Sequence, residues 1–237
     1  MSIPLTVAPA STDVARAAVH TAVKNLILRG SLRAGQKLVT DELAKRLGVS
    51  RMPVRETLER LQQEGFVVHV PHRGCFVAEI TAEEARDLYG VREALEVHAL
   101  RQTAAKGLTA AHLARLKAVL DTYATLVRDN VMRQRLQVDR DFHLTLAAIP
   151  GNQALLTMLQ SVYERIFLKI RTEGYGVPRG AEGYEEHVLL FKALEAADFA
   201  KAEHMLTAHI RLGCDRLLAH IDAGGDSSVS PLPTRPR

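Results

Sequence analysis

The segment GVSRMPVRETLERLQQEGFV, residues 48–67, constrains the fold of this chain more than any other stretch. Val54, Leu58 and Leu61 recur at steps of four and three residues, which places them on one face of an α-helix. Such an apolar face must pack against other helices, and a short turn separates the segment from an earlier helical pattern. The segment is therefore predicted to be the second helix of a helix-turn-helix.

The N-terminal end of this helix carries two arginines one turn apart. Ser50 is expected to cap the helix, which is predicted over residues 51–64. Arg51 and Arg55 then lie on a different face from the apolar stripe. Residues at this position contact base edges in the major groove, and Arg matches O6 and N7 of guanine with two hydrogen bonds. Ser50, Arg51 and Arg55 are therefore candidate DNA contacts, with solvated surface side chains as the plainer alternative.

The surrounding pattern completes a winged helix-turn-helix. Helical periodicity predicts two earlier helices, at 13–29 and 40–47, and two β-rich runs in FVVHVPHRGCFVAEI flank the turn PHRG. Arg73 lies at the tip of this hairpin, where it can enter the minor groove or contact phosphate. Gly74 beside it allows the backbone to approach the DNA closely. A DNA-binding domain is predicted at 12–79.

The excess positive charge of the chain lies in its first third. The net charge is +4; residues 1–80 hold 11 Lys and Arg against 7 Asp and Glu, and the remaining residues hold 20 of each kind. This asymmetry favours a nucleic-acid-binding module joined to a neutral domain. Two distant cysteines, no long apolar run and no signal-peptide pattern predict a cytoplasmic protein with reduced thiols and no membrane span.

After residue 80 the hydrophobic pattern is helical throughout. We predict an antiparallel all-α bundle of about six helices over residues 80–222, which makes the whole chain mainly α. The composition of residues 223–237 predicts a disordered tail. The glycine-rich stretch 173–183 is expected to be a loop between two of the helices. The six helices are predicted at about 81–106, 109–129, 131–149, 152–172, 184–197 and 199–222.

One carboxylate and three histidines fall on the apolar faces of three predicted helices. Asp139 and His143 are four residues apart on one helix, and His187 and His209 lie on two others. A single buried histidine is most often a hydrogen-bonded core residue, and that interpretation stays open for each. Four such groups are costly to bury separately, whereas a shared cation would satisfy them together.

Two regions of the chain resemble known domains. The stretch LILRGSLRAGQKLVTDELAKRLGVSRMPVRETLERLQQEGFVVHVPHRGCFVAEI resembles the winged-helix domain of GntR-family bacterial transcription regulators. The segments LYGVREALEVHAL, DRDFHLTLAAIPGNQALL and EEHVLLFKALEAADFAKAEHMLTAHI are similar to the FCD effector-binding domain of the FadR subfamily. Together the two resemblances cover about residues 13–222.

The first resemblance implies base or phosphate contacts from Arg51, Arg55 and the wing around Arg73 and Gly74. One position departs from the family pattern. Some relatives carry a DNA-contacting arginine where this chain has Asp41. A carboxylate near phosphate is repelled, so base recognition should depend more heavily on the two arginines of the recognition helix.

The second resemblance implies a divalent metal site. Many such domains bind a metal through an Asp-x3-His pair and two later histidines, and Asp139, His143, His187 and His209 match that set. Zinc is the first expectation, with nickel, iron or manganese as alternatives. Fatty-acyl-binding members lack these residues, which argues against an acyl-CoA effector.

Arg92 lies where the family tends to carry an inward arginine on the first bundle helix. It either binds an anionic effector or forms an ion pair with Glu96, one turn later. Tyr89 lines up loosely with the same face and is the second candidate effector contact.

The sequence therefore predicts a ligand-responsive transcription regulator and not an enzyme. We expect a homodimeric repressor that binds a pseudo-palindromic double-stranded operator and responds to a small carboxylate. Two alternatives stay open: a metal-dependent hydrolase built on the helical bundle, and a regulator whose metal is purely structural.

Overall fold

The structure is a computed structural model that describes residues 12–172 and 180–224. The described part is mainly α-helical, with a small antiparallel sheet near its N-terminal end, so the predicted fold class is confirmed. Its elements in chain order are α1 (Thr12–Leu28), β1 (Lys37–Leu38), α2 (Thr40–Leu47), α3 (Arg51–Gln63), β2 (Val67–Val70), β3 (Gly74–Val77), α4 (Ala82–Lys106), α5 (Ala110–Arg128), α6 (Met132–Ala148), α7 (Gln153–Thr172), α8 (Gly180–Glu195) and α9 (Phe199–Gly224).

The described residues divide into two compact units. Residues up to Thr81 form the first, together with the end of α7 from Arg165; Ala82–Glu164 and the helices α8 and α9 form the second. The predicted tail at 223–237 lies mostly outside the described residues, as does most of the predicted loop at 173–183. No helix in the described ranges combines the length and apolar character that a membrane span needs.

The first unit is a three-helix winged domain whose core follows the predicted apolar stripe. Val54 and Leu61 of α3 are fully buried, as is Val23 of α1, because α3 packs against both α1 and α2. The sheet has the order β1-β3-β2, and β2 pairs with β3 in the predicted hairpin. The strand β1 was not predicted, since two residues are too few to show the alternation of a strand; its Leu38 is buried and its Lys37 is exposed.

Glycines fix the turns that orient the recognition helix α3. Gly48 ends α2 in the left-handed conformation, with φ +67°, and its amide donates to carbonyls of the last turn of α2. Ser50 occupies the predicted capping position before α3, but its side chain makes no capping hydrogen bond. Gly65 follows the end of α3 with φ +83°. The turn into α3 therefore depends on backbone conformation at Gly48 and not on the Ser50 hydroxyl.

The second unit is an all-α bundle in which α4 packs against α6 and α9, and α5 packs against α6 and α8. Most predicted helix bounds agree with the structure within two residues. The main difference is α8, which begins at Gly180 and not at residue 184. The low helix propensity of glycine had favoured a loop here. A Cβ atom at Gly183 would lie 3.1 Å from the hydroxyl of Tyr123, which is closer than an ordinary contact.

Alanine substitutions at two glycines test whether the left-handed backbone conformation at Gly48 contributes to stability. Gly48→Ala should destabilise the protein by about 1–2 kcal/mol, because an L-residue pays for the left-handed conformation. Gly90→Ala, in the middle of α4, should instead stabilise by about 0.5–1 kcal/mol. Neither new methyl group meets an atom within 4 Å, so packing contributes to neither result. Urea unfolding followed by circular dichroism measures both, and effects of the same sign would contradict this account.

Candidate functional site

The structure brings the four predicted metal ligands together in the helical unit. Asp139 and His143 lie on α6, His187 on α8 and His209 on α9. One donor atom from each lies within 4.8 Å of all the others. The three histidines are buried, whereas Asp139 keeps 21% of its side-chain surface exposed. The histidines are thus more than isolated core residues, since their rings meet at one point.

Each histidine ring is fixed by a hydrogen bond on its outer nitrogen, Nδ1. The acceptors are two carboxylates and one carbonyl oxygen, so each Nδ1 carries the proton and each Nε2 is left with a free lone pair. A partner of this kind sets the ring orientation and raises the basicity of a metal-binding histidine. The three pairs are His143 with Glu96, His187 with the carbonyl of Gly183, and His209 with Glu186, all at 2.6 Å.

The unprotonated nitrogens then point at one another. The Nε2 atom of His143 lies 3.1 Å from that of His187 and 3.1 Å from that of His209. The nearest Asp139 oxygen lies 3.6 Å from His187 Nε2. Lone pairs at this separation repel unless a cation lies among them. Two nitrogens bound to one ion at about 2.1 Å are about 3.0–3.4 Å apart for bond angles near 90–109°, so the donor set fits a divalent metal.

The electrostatics keep these groups in their metal-binding protonation states. Burial lowers the pKa of His187 to about 4, although Asp139 acts in the opposite direction. Burial also lowers the pKa of His209 well below its ordinary value, and its proximity to His187 and His143 acts in the same direction. Burial raises the pKa of Asp139, but the neighbouring histidines and Arg92 outweigh it and leave the pKa at about 2. Near neutral pH, His187 and His209 are neutral and Asp139 is charged.

Arg92 is buried beside this cluster, and not all of its guanidinium nitrogens have hydrogen-bond partners. Its Nε donates to Glu96 at 2.6 Å, and its guanidinium carbon lies 4.7 Å from the ring centre of Tyr163 and 5.5 Å from that of Tyr89. Its Nη2 is buried without a hydrogen-bond partner. The ion pair with Glu96 is therefore present, while one donor of the same side chain stays unsatisfied. Tyr89 is buried and stacks on Arg92.

Sequence reasoning missed the residues that orient the site. Glu96 was considered only as a partner of Arg92, but its second oxygen accepts from His143, and Tyr163 donates to its first oxygen at 2.9 Å. Its four-residue spacing from Arg92 was the one available signal. Glu186 looks like an ordinary surface acid next to His187, and Gly183 was placed in a loop. No sequence pattern identifies a backbone carbonyl as a partner of a histidine.

The candidate DNA contacts lie in the winged unit, and all but one are exposed. Ser50, Arg51 and Arg55 are exposed around the start of α3. Arg73 is exposed in the turn between β2 and β3, with its guanidinium carbon 5.8 Å from the ring centre of Phe76. These positions agree with the geometry that a recognition helix and a wing require.

Gly74 is partly buried at the start of β3 with φ +100°, a conformation that favours glycine. A side chain at Gly74 would lie 3.6 Å from Lys37, so this exposed cation of β1 also lies beside the wing. No sequence pattern predicted Lys37 at this place, because β1 was not predicted.

Asp41 is not an isolated carboxylate. Its two oxygens accept from Nε of Arg51 at 2.6 Å and from Nη2 at 2.7 Å. An arginine of the recognition helix therefore offsets part of the charge by which Asp41 is expected to repel phosphate.

Comparisons with known proteins agree with this architecture. A sequence model described as "Bacterial regulatory proteins, gntR family" matches residues 15–77. A second, described as "FCD domain", matches residues 87–212. The chain belongs to the GntR family. It is therefore a DNA-binding transcription regulator with an FCD domain, and the alternative of a metal-dependent hydrolase is not supported.

Individual GntR-type relatives align over much of the chain. The Nta operon transcriptional regulator of Aminobacter aminovorans is 35% identical over 144 residues, which cover 56% of this chain and 63% of that protein. The uncharacterized regulator BphR of Paraburkholderia xenovorans is 30% identical over 190 residues, 78% of this chain and 77% of that protein. The structure of McbR/YncC from Escherichia coli matches with a TM-score of 0.72 and 26% identity, covering 86% of this chain and 97% of that one.

The three histidines should be required for the predicted divalent metal to bind. His143→Ala, His187→Ala and His209→Ala should each lower divalent metal content in elemental analysis. Each should also reduce the rise in melting temperature when zinc is added to chelated protein, since an ion that binds only the folded state adds stability. His204→Ala, an exposed histidine on α9, is the matched control and should change neither quantity. Full metal content in a variant lacking all three buried histidines would contradict the assignment.

Proposed function

We propose that this regulator is a homodimeric repressor of the FadR subfamily whose helical domain binds a divalent metal and a small organic acid. The proposal rests on one observation: three deprotonated Nε2 atoms and a charged carboxylate converge in the core, beside an arginine with one donor nitrogen that lacks a partner. Such an arrangement is expensive to bury without ligands and is satisfied by a cation and an anion together.

The metal would be held by Asp139, His143, His187 and His209. A mixed nitrogen and oxygen set of this kind suits zinc, and also nickel, iron or manganese. A bound ion supplies positive charge that attracts an anionic ligand to the interior of the bundle. The chain's own contribution is orientation: Glu96, Glu186 and the Gly183 carbonyl hold the three rings so that every Nε2 faces inward.

The acid would bind Arg92 and complete the environment of the metal. Glu96 occupies Nε of Arg92, so the unsatisfied Nη2 is the donor that remains for a ligand oxygen. Burial alone lowers the pKa of Arg92, but the nearby acidic groups Tyr163, Glu96 and Tyr89 raise it overall, so the group stays charged. A charged guanidinium binds a carboxylate more strongly than a neutral carbonyl. Tyr89 stacks on the guanidinium and would help to hold it toward the ligand.

The DNA would be contacted by the start of α3 and by the wing. Arg51 and Arg55 are placed to read guanines in the major groove, and the uncommitted hydroxyl of Ser50 is available to a phosphate oxygen. Arg73 and Gly74 would bring the wing against the backbone or minor groove. A homodimer would place two such units on a pseudo-palindromic operator. The protein would act in the cytoplasm, where bacterial chromosomal DNA lies.

The acid can control DNA binding only if it binds the two states of the dimer with different affinity. Shifting the population from 1:99 to 99:1 would need about 5.5 kcal/mol of differential affinity. A charge-assisted contact to Arg92 and a metal bond in each of two subunits could supply free energy of that size. A metal that served only to hold α6, α8 and α9 together would stabilise the fold but would give no acid response.

Operator binding should depend on both arginines of the recognition helix. Arg51→Ala and Arg55→Ala should each weaken binding to the preferred operator by about 1–3 kcal/mol and relax the preference for guanine. Arg60→Ala, in the last turn of the same helix, is the matched control and should leave base preference unchanged. Fluorescence anisotropy at fixed salt measures the affinities. Unchanged affinity and base preference in both variants would rule out this role for α3.

Small acids should stabilise the metal-loaded protein selectively. At a concentration of about 100 times its dissociation constant, a bound acid should add about 2.7 kcal/mol of stability. A thermal-shift screen should compare carboxylic acids with their own neutral amides, before and after chelation. Arg92→Lys retains the charge but loses the planar donors, so it should weaken the response to acids. Equal stabilisation by acids and amides, or an acid response that survives chelation unchanged, would contradict the proposal.

A further inference from the structure

The ion pair between Asp41 and Arg51 joins the two helices of the helix-turn-helix at the surface that faces DNA. Asp41 lies in the first turn of α2, and Arg51 is the first residue of α3. Both oxygens of the carboxylate are used, and they take the Nε and Nη2 edge of the guanidinium at 2.6 and 2.7 Å. A two-point contact of this kind fixes the plane of the guanidinium as well as its position.

Local electrostatics favour a carboxylate beside Arg51. The N-terminus of a helix carries partial positive charge, which disfavours an arginine there and favours a carboxylate. The first turn of α3 contains no acidic residue, so nothing in that turn offsets Arg51. Asp41 supplies the missing negative charge from the first turn of the neighbouring helix. Its own position at the start of α2 is electrostatically favourable.

Stability alone does not explain the pair. The two side chains are exposed over 72% and 56% of their surfaces, and an exposed ion pair contributes little to folding because water screens it. What the contact does restrict is the rotation of a long, flexible side chain. Fixing a side chain before it binds lowers the entropy lost on binding.

The geometry leaves the recognition edge of Arg51 available. A guanidinium has five N–H donors, and the carboxylate takes two of them, one on Nε and one on Nη2. The remaining donors, on Nη1 and Nη2, form the outer edge, which is the edge that can give two parallel hydrogen bonds to O6 and N7 of guanine. Asp41 therefore does not compete for the donors that would read a base.

We propose that Asp41 is a specificity-determining residue, which holds the guanidinium of Arg51 so that its outer edge is presented to a guanine. This inference rests on the proposed base contact of Arg51. Asp41 acts through Arg51 and makes no base contact of its own. Without the carboxylate, Arg51 would keep its charge and its affinity for phosphate, but it would sample orientations that do not distinguish guanine from other bases.

The experiment starts with the duplex that the wild-type protein selects from a random DNA pool. Anisotropy at fixed salt then measures binding to that duplex and to duplexes with each guanine replaced. Arg51→Ala should lower the preference at one base position by about fivefold to a hundredfold. Asp41→Asn should lower the preference at the same position by about threefold or more. The double variant should lose no more preference than Arg51→Ala alone, because the two residues act as one unit.

A matched variant separates orientation from charge. Glu42→Gln removes one negative charge from the adjacent exposed position of α2. Both neutralising variants should tighten binding to similar extents on duplexes that lack the guanine read by Arg51, but only Asp41→Asn should change base preference. If Asp41→Asn tightens binding to every duplex and leaves base preference intact, Asp41 only repels the DNA phosphates and the inference is wrong. If Arg51→Ala itself leaves base preference unchanged, the proposed base contact fails first, and the inference fails with it.

Discussion

The convergence of three histidine Nε2 atoms in the core of the helical unit is the constraint on which the proposed control mechanism depends. Two of the three separations are 3.1 Å, and each ring is anchored on its other nitrogen, so no ring can rotate to relieve the repulsion without breaking a hydrogen bond. A cation bound there would resolve this conflict directly and would link α6, α8 and α9 through electrostatics.

Glu96 ties the metal ligands to the arginine that would meet an acid. One of its oxygens accepts from His143, while the other accepts from Arg92 and from the hydroxyl of Tyr163. Burial raises the pKa of Glu96, but its contacts with His143 and with the charged Arg92 outweigh that effect and lower the pKa overall. Under the proposed function, a change at the metal would reach Arg92 through this single carboxylate, with no contact between Arg92 and the ion required.

The sequence predicted the parts of the molecule that depend on periodicity and failed where packing decides. The apolar stripe of α3 and the inward positions of His143, His187 and His209 follow from helical spacing, and the structure places them as expected. The strand β1 is too short to produce a pattern. The early start of α8 was not predicted, and the space at Gly183 within it is limited by Tyr123, a residue distant in sequence. The two glutamates that orient histidine rings could not be identified from the sequence either, because a buried glutamate and a surface glutamate look alike there.

The central claim is that one divalent ion lies among these nitrogens. Anomalous X-ray scattering from crystals of the zinc-loaded protein, collected on both sides of the zinc absorption edge, tests it most directly. The account predicts one strong peak within about 2.0–2.2 Å of the Nε2 atoms of His143, His187 and His209 and of an Asp139 oxygen. Zinc peaks only at other sites, with the three rings still held at their present separation, would contradict it.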